Sequence, residues 1–195
     1  MAAPNAVLEL VERFARNRAQ YLNAAYNETQ VRREFIDPFF GALGWDVDNK
    51  AGYAQQYKDV VHEDAIKVGL DARAPDYSFR IGGQRKFFVE AKKPAVNLKD
   101  DPAPAYQLRR YAWSAKLPLS IVTDFQEFAV YYCRVRPAAG DKPSAARTLY
   151  VPCEHYDERW DEIAGVFGKQ AIQKGSFDAY ADSTRAKRGT AEVDT

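Results

Sequence analysis

Cysteine and histidine are scarce in this chain: two of each occur in 195 residues. Cys133 and Cys153 have no metal-ligand spacing, so both read as free thiols, with Cys133 partly buried in a strand. His62 and His155 are too few and too far apart for a zinc site. Neither accompanies a Ser or Cys nucleophile motif, which argues against histidine-based catalysis. Long apolar runs are also missing: none approaches the roughly 18 residues that a membrane-spanning helix needs. The opening stretch, residues 1–18, is charged and helical in pattern and lacks a signal-peptide core. A cytoplasmic protein with no membrane partner is therefore expected. Net charge is nearly absent too, at +1 from 28 basic and 27 acidic residues, so no global excess of basic charge marks a duplex-holding protein.

What is present is core material. A hydrophobic fraction of 46% with 13% aromatics excludes wholesale disorder and suits one domain of this length. The charges are unevenly placed: Arg73, Arg80, Arg85, Lys86, Lys92, Lys93, Lys99, Arg109 and Arg110 crowd the middle of the chain.

Residues 5–22 carry apolar side chains at helical period, among them Val7, Val11 and Phe14. Asn27 caps a second helix through Val31, Phe35, Phe39 and Leu43, with a kink or break expected at Pro38. Residues 59–68 read ambiguously as a strand or part of a hairpin. From 76 the period becomes two: Tyr77, Phe79 and Ile81 alternate, Gly82-Gly83 turns the chain, and 86–90 is strongly β-prone. A helix over 104–116, strands over 119–122 and 127–135, an exposed loop over 136–147 and a helix over about 156–172 follow. Trp45, Trp113 and Trp160 read as packing residues. Residues 1–180 form the domain, and 181–195, polar and aperiodic, read as a disordered tail or linker. The whole is an α/β protein with a mixed sheet flanked by helices.

Chemistry concentrates in one segment. Asp76 follows Pro75 at the start of the hairpin, and Glu90 and Lys92 lie on its second arm, two apart and so on one face. Two close carboxylates and an ammonium make poor core material unless they bind something, and a hard divalent cation relieves the carboxylate repulsion.

Pro75, Asp76, Glu90 and Lys92 resemble the signature of the PD-(D/E)XK nuclease superfamily. Gln107 and Tyr111, four apart on one helix face, resemble the Gln-x-x-x-Tyr motif of its type I restriction R-subunit and recombination-exonuclease branches. Upstream, Asn27-Glu28, Arg32, Phe35-Ile36-Asp37-Pro38 and Leu43-Gly44-Trp45 resemble the first helix of those nucleases. The phrases around Glu90 and residues 107–131 are most similar to the N-terminal nuclease domain of type IIG restriction-modification enzymes. The resemblance covers roughly residues 5–175 and implies a restriction-endonuclease-like core. It also implies a metal-dependent endonuclease acting on double-stranded DNA. Asp76, Glu90, the Ala91 carbonyl and Glu28 would hold Mg2+, with Mn2+ substituting. Lys92 would hold or deprotonate water, with Gln107 and Tyr111 orienting it. Lys93, Arg109 and Arg110 are candidate phosphate contacts, Glu63 is a reserve acid, and Glu34 reads as solvated.

In the type IIG enzymes a methyltransferase and a target-recognition region follow in the same polypeptide. This chain has no glycine-rich S-adenosylmethionine motif, so it is expected to be an excised nuclease domain or a stand-alone relative, with a transient dimer on DNA for double-strand cleavage. Two alternatives stay open: a catalytically idle DNA-binding or interaction module, and a nuclease for single strands, ends or RNA.

Overall fold

The computed structural model describes residues 1–191, with side chains to residue 187. Among the described residues the strands are β1 Val60–His62, β2 Ile66–Val68, β3 Asp71–Arg73, β4 Tyr77–Ile81, β5 Gln84–Ala91, β6 Leu119–Thr123, β7 Glu127–Tyr132 and β8 Arg147–Pro152. Six form one mixed sheet in the order β1-β4-β5-β6-β7-β8, and β2 and β3 form a separate ribbon. Only the β5–β6 pairing is parallel within that sheet; its other neighbours are antiparallel. The helices are α1 Asn5–Arg16, α2 Arg18–Tyr21, α3 Glu28–Val31, α4 Asp37–Ala42, α5 Pro102–Ser114, α6 Trp160–Phe167, α7 Lys169–Gln173 and α8 Ser176–Ala191. A mixed sheet between helices is the restriction-endonuclease-like core expected.

Strand β5 shows why the sequence builds this sheet. Phe87, Val89 and Ala91 point into a large core shared with Phe14, Phe35, Phe39, Phe40, Phe128 and Phe167. Phe88 points the opposite way, into a smaller core with Leu108 and Ala112 of α5 and Ile66 and Val68 of β2. Both faces are covered, so the strand reads as an apolar run rather than a simple alternation. Glu90 lies on the Phe88 face, toward α5. The turn into β5 uses Gly82 and Gly83 at φ +56 and +81, and a Cβ on Gly83 would lie 2.8 Å from the Gln56 carbonyl.

The break at Pro38 takes a specific form. Residues Arg32–Ile36 make a π-helical turn, and α4 begins at Asp37 with proline in its first turn. Proline has no N–H to give the Glu34 carbonyl four residues back. The Arg13 guanidinium donates to that carbonyl instead, tying α1 to the break.

Several expectations change. The first helix is divided at Asn17, and the last is divided at Gly168 into α6 and α7. Strand β8 has no counterpart among the expected elements: the expected loop over 136–147 ends where the strand begins, and its burial pattern alternates only weakly. Helix α8 runs through 181–191, the start of the stretch read as a tail, because Phe177 and Ala181 anchor it to the core. The end of that tail, 192–195, lies outside the described residues. Cys133 is fully buried just past β7, and both cysteines are free. Trp45 and Trp160 are core residues, whereas Trp113 is 41% exposed.

Candidate active site

Asp76 immediately precedes β4, and the pairing of Tyr77 with Val89 sets it across from Glu90 on β5. Its Oδ2 accepts the Ala91 N–H at 2.7 Å, and its Oδ1 accepts from Arg32 Nη1 at 3.3 Å. Both oxygens are thus oriented by donors, which fixes the carboxylate. Glu90 is only 4% exposed. Its Oε1 accepts from Gln107 Nε2 at 2.7 Å and from Lys92 Nζ at 3.1 Å, while its buried Oε2 has no hydrogen-bond partner.

Helix α5 closes the site from the other side. Asp101 caps it by accepting the Ala103 N–H at 2.9 Å, and Pro102 opens its first turn. Gln107 and Tyr111 are one turn apart: Gln107 Nε2 donates to the Tyr111 hydroxyl at 3.2 Å, and Gln107 Oε1 accepts from Lys92 Nζ at 3.4 Å. The ammonium is therefore held between a carboxylate and an amide rather than left mobile.

The electrostatics follow from this crowding. Burial, then the nearby Asp76 charge, pushes the Glu90 carboxyl up to about 7. Burial alone would lower the Lys92 ammonium, but Glu90, Glu28 and Asp76 together hold it above its usual value. Glu28 acts on this cluster through charge. It sits in the first turn of α3, positioned by a capping box in which Asn27 Oδ1 accepts the Gln30 N–H at 3.0 Å and Gln30 Oε1 accepts the Asn27 N–H at 2.9 Å.

Asp76, Glu90, Ala91, Lys92, Gln107 and Tyr111 are thus brought together, with Glu28 at the edge. Lys93 is half-buried, and its Nζ lies 3.4 Å from the Ala24 carbonyl. Arg110 is exposed on α5, with its guanidinium 5.5 Å from the Tyr106 ring centroid. Arg109 is a correction. It is 2% exposed and bound to Asp141 at 2.7 Å, so it faces the interior and has no access to a phosphate. Adjacent arginines on a helix point about 100° apart, and sequence alone did not say which faced in. Glu63 is exposed at φ +51, its N–H bonded to the Asp76 carbonyl at 3.2 Å, while Glu34 is exposed as expected.

Sequence reasoning assigned no role to the group behind Asp76. Arg32 Nη2 donates to the Asp76 carbonyl at 3.3 Å and lies 3.2 Å from His62 Nδ1. Its guanidinium stacks 4.6 Å from the Tyr77 ring centroid, and the Tyr77 hydroxyl donates to Asp37 Oδ1 at 2.6 Å. The available signal was spacing: Arg32 is one helical turn from Glu28.

The donor set fits a hard divalent cation. Asp76 and the orphaned Glu90 Oε2 supply carboxylate oxygen, and Mg2+ is commonly held by one or two carboxylates, waters and substrate phosphates. Among the described residues no three His, Cys, Asp or Glu side chains converge in the manner of a closed, all-protein metal site. An open site at which substrate completes the coordination is the chemistry these residues allow.

An α/β core with paired carboxylates and a lysine at a hairpin's open end defines the class of site. No family model matches the chain, and no solved structure matches it. It is 36% identical over 171 residues to the type II restriction enzyme and methyltransferase RM.Eco57I of Escherichia coli, a match spanning 87% of this chain. The chain covers 17% of the length of that relative. The similarity relates the chain to restriction-modification enzymes. No helix among the described residues is long and apolar enough to cross a membrane.

Proposed function

We propose that the chain is the nuclease module of a restriction-modification enzyme, hydrolysing phosphodiester bonds in double-stranded DNA with Mg2+ or Mn2+. The observation that carries this reading is the fixed Asp76 carboxylate beside the unpartnered, buried Glu90 Oε2, with the Lys92 ammonium 3.1 Å from the other Glu90 oxygen. This arrangement supports reading the site as that of a PD-(D/E)XK nuclease, in keeping with the resemblance of the sequence to the type IIG enzymes. The name of the relative, which joins a restriction enzyme to a methyltransferase, supports a parent polypeptide that also carries a methyltransferase, and a target-recognition region would complete it. A near-neutral nuclease module fits that division of labour, and a transient dimer on DNA would supply the second active site for the other strand.

Asp76, Glu90 and the Ala91 carbonyl would hold the cation, with Glu28 near its waters. When bound, the cation supplies Lewis-acid polarisation of a phosphate oxygen and of water. In the hydrolysis a water oxygen forms a bond to phosphorus, one P–O ester bond breaks, and the net transfer of one water proton to the departing oxygen leaves a hydroxyl and a phosphate monoester. Lys92 directs its N–H donors at the water and at the negative charge growing on the phosphate. Gln107 holds Lys92 and Glu90 in register, and Tyr111 holds Gln107. Arg110 and Lys93 position DNA through phosphates without reading its sequence.

The test is cleavage of supercoiled plasmid in Mg2+, Mn2+ and EDTA by wild type, Asp76→Ala and Lys92→Ala, with metal binding followed by calorimetry. Metal-dependent nicking abolished by both substitutions is expected, with metal binding lost in Asp76→Ala. Absence of both cleavage and Asp76-dependent metal binding would replace this reading with that of an idle interaction module.

A further inference from the structure

The exposed face of α5 does not end at the active site. At about 100° per residue it turns from Tyr111 and Gln107 through Ser114 and Arg110 to Tyr106 and Trp113. Trp113 is 41% exposed, whereas Trp45 and Trp160 are 3% and 2% exposed. Beside it lies a pocket of about 460 Å3 lined by Trp113, Ser114, Lys116, Cys133 and Arg134, with no carboxylate among them. Arg109 on the inner side of the same helix is neutralised by Asp141. Arg110, Lys116 and Arg134, all exposed, pair with no carboxylate among the described residues. An exposed indole ringed by unpaired cations has the chemistry of a polyanion that also carries flat rings.

We infer that this face of α5, together with the segment after β7, is a contact surface for a DNA strand leaving the active site. Trp113 packs against a deoxyribose ring at the edge of the duplex, and Arg110, Lys116 and Arg134 take phosphates. The inference rests on the nuclease reading for its choice of DNA and extends it from the cleavage point to the flanking strand. It also gives a chain of net charge +1 a local basic contact: Arg110 on α5, Lys116 just past its end and Arg134 just past β7 lie around Trp113.

Because Trp113 is the exposed tryptophan among the three, intrinsic fluorescence reports directly on this surface. Wild-type protein is titrated with a short duplex oligonucleotide and, separately, with poly-glutamate, in Ca2+ and at several salt concentrations. The expected result is quenching of the acrylamide-accessible emission by DNA but not by poly-glutamate. That signal is expected to vanish in Trp113→Phe. Binding measured by anisotropy should weaken roughly five-fold or more in Trp113→Ala. Lys116→Gln with Arg134→Gln should lower the slope of log affinity against log salt by about two.

DNA binding without quenching, or an unchanged salt slope in the double variant, overturns the inference while leaving metal-dependent cleavage intact. Equal quenching by poly-glutamate overturns DNA as the occupant in favour of an acidic protein segment. Quenching with the expected slope change, in a protein that shows neither cleavage nor Asp76-dependent metal binding, supports the surface and refutes the nuclease reading instead.

Discussion

Replacing Glu90 with glutamine removes a buried ionisable carboxyl while keeping the shape of the side chain. In the metal-free fold this carboxyl titrates near 7, against 4.5 ordinarily, because burial and Asp76 disfavour its charge. A folded-state value raised above the unfolded one means that the folded protein binds the proton more tightly. Stability is therefore lost as pH rises from about 4.5 through about 7. At roughly 1.4 kcal/mol per pH unit, the loss is on the order of 3 kcal/mol. Glu90→Gln escapes it but leaves Lys92 without its carboxylate partner, which costs about 1–2 kcal/mol. The metal-free variant should thus be more stable than wild type at pH 8 by about 1–2 kcal/mol, and no more stable at pH 5. For a chain of this size that is a rise of roughly 2–8 °C in midpoint. Differential scanning fluorimetry in EDTA from pH 5 to 8 reads it, and repetition with Mg2+ should reverse the order, since the cation stabilises wild type alone. A midpoint difference that is the same at pH 5 and pH 8 would refute the argument from burial.

Other perturbations separate the roles around the site. Arg32→Ala releases one of the two donors fixing Asp76, and calorimetry should show metal affinity lowered about tenfold, an effect in the range of lost outer-shell partners of metal ligands. Arg32→Lys, which keeps the charge but not the fork geometry, should restore it only in part. Gln107→Ala should reduce the rate of plasmid nicking by about 10–100-fold with smaller change in metal affinity, because it frees Lys92 rather than removing a ligand. Phe87→Ala empties the space between Phe79, whose ring stacks at 4.5 Å, and Phe167 at 5.3 Å; urea denaturation should show a loss of about 3–5 kcal/mol.

Much of this protein lay open in the sequence, and for local reasons. Side-chain period, a Gly-Gly turn and an Asn cap act within a few residues, so the β4–β5 hairpin, the start of α3 and the outline of α5 could be read directly. Period two likewise placed Glu90 and Lys92 on one face, and the four-residue step placed Gln107 with Tyr111. What needed the tertiary structure was every question of which side faces what. Arg109 and Arg110 are equivalent in sequence, yet packing sends one to Asp141 and the other to solvent. Trp113 has the composition of a core residue, and only the position of α5 on the sheet leaves it outside. Polar α8 has little amphipathic signal of its own and is held by Phe177 and Ala181 against a core assembled from distant residues. Arg32 joins the site because β4 brings Asp76 to it across 44 positions of chain. Local chemistry determined the elements and the reactive side chains; burial, which depends on all the elements at once, decided which of those side chains meet.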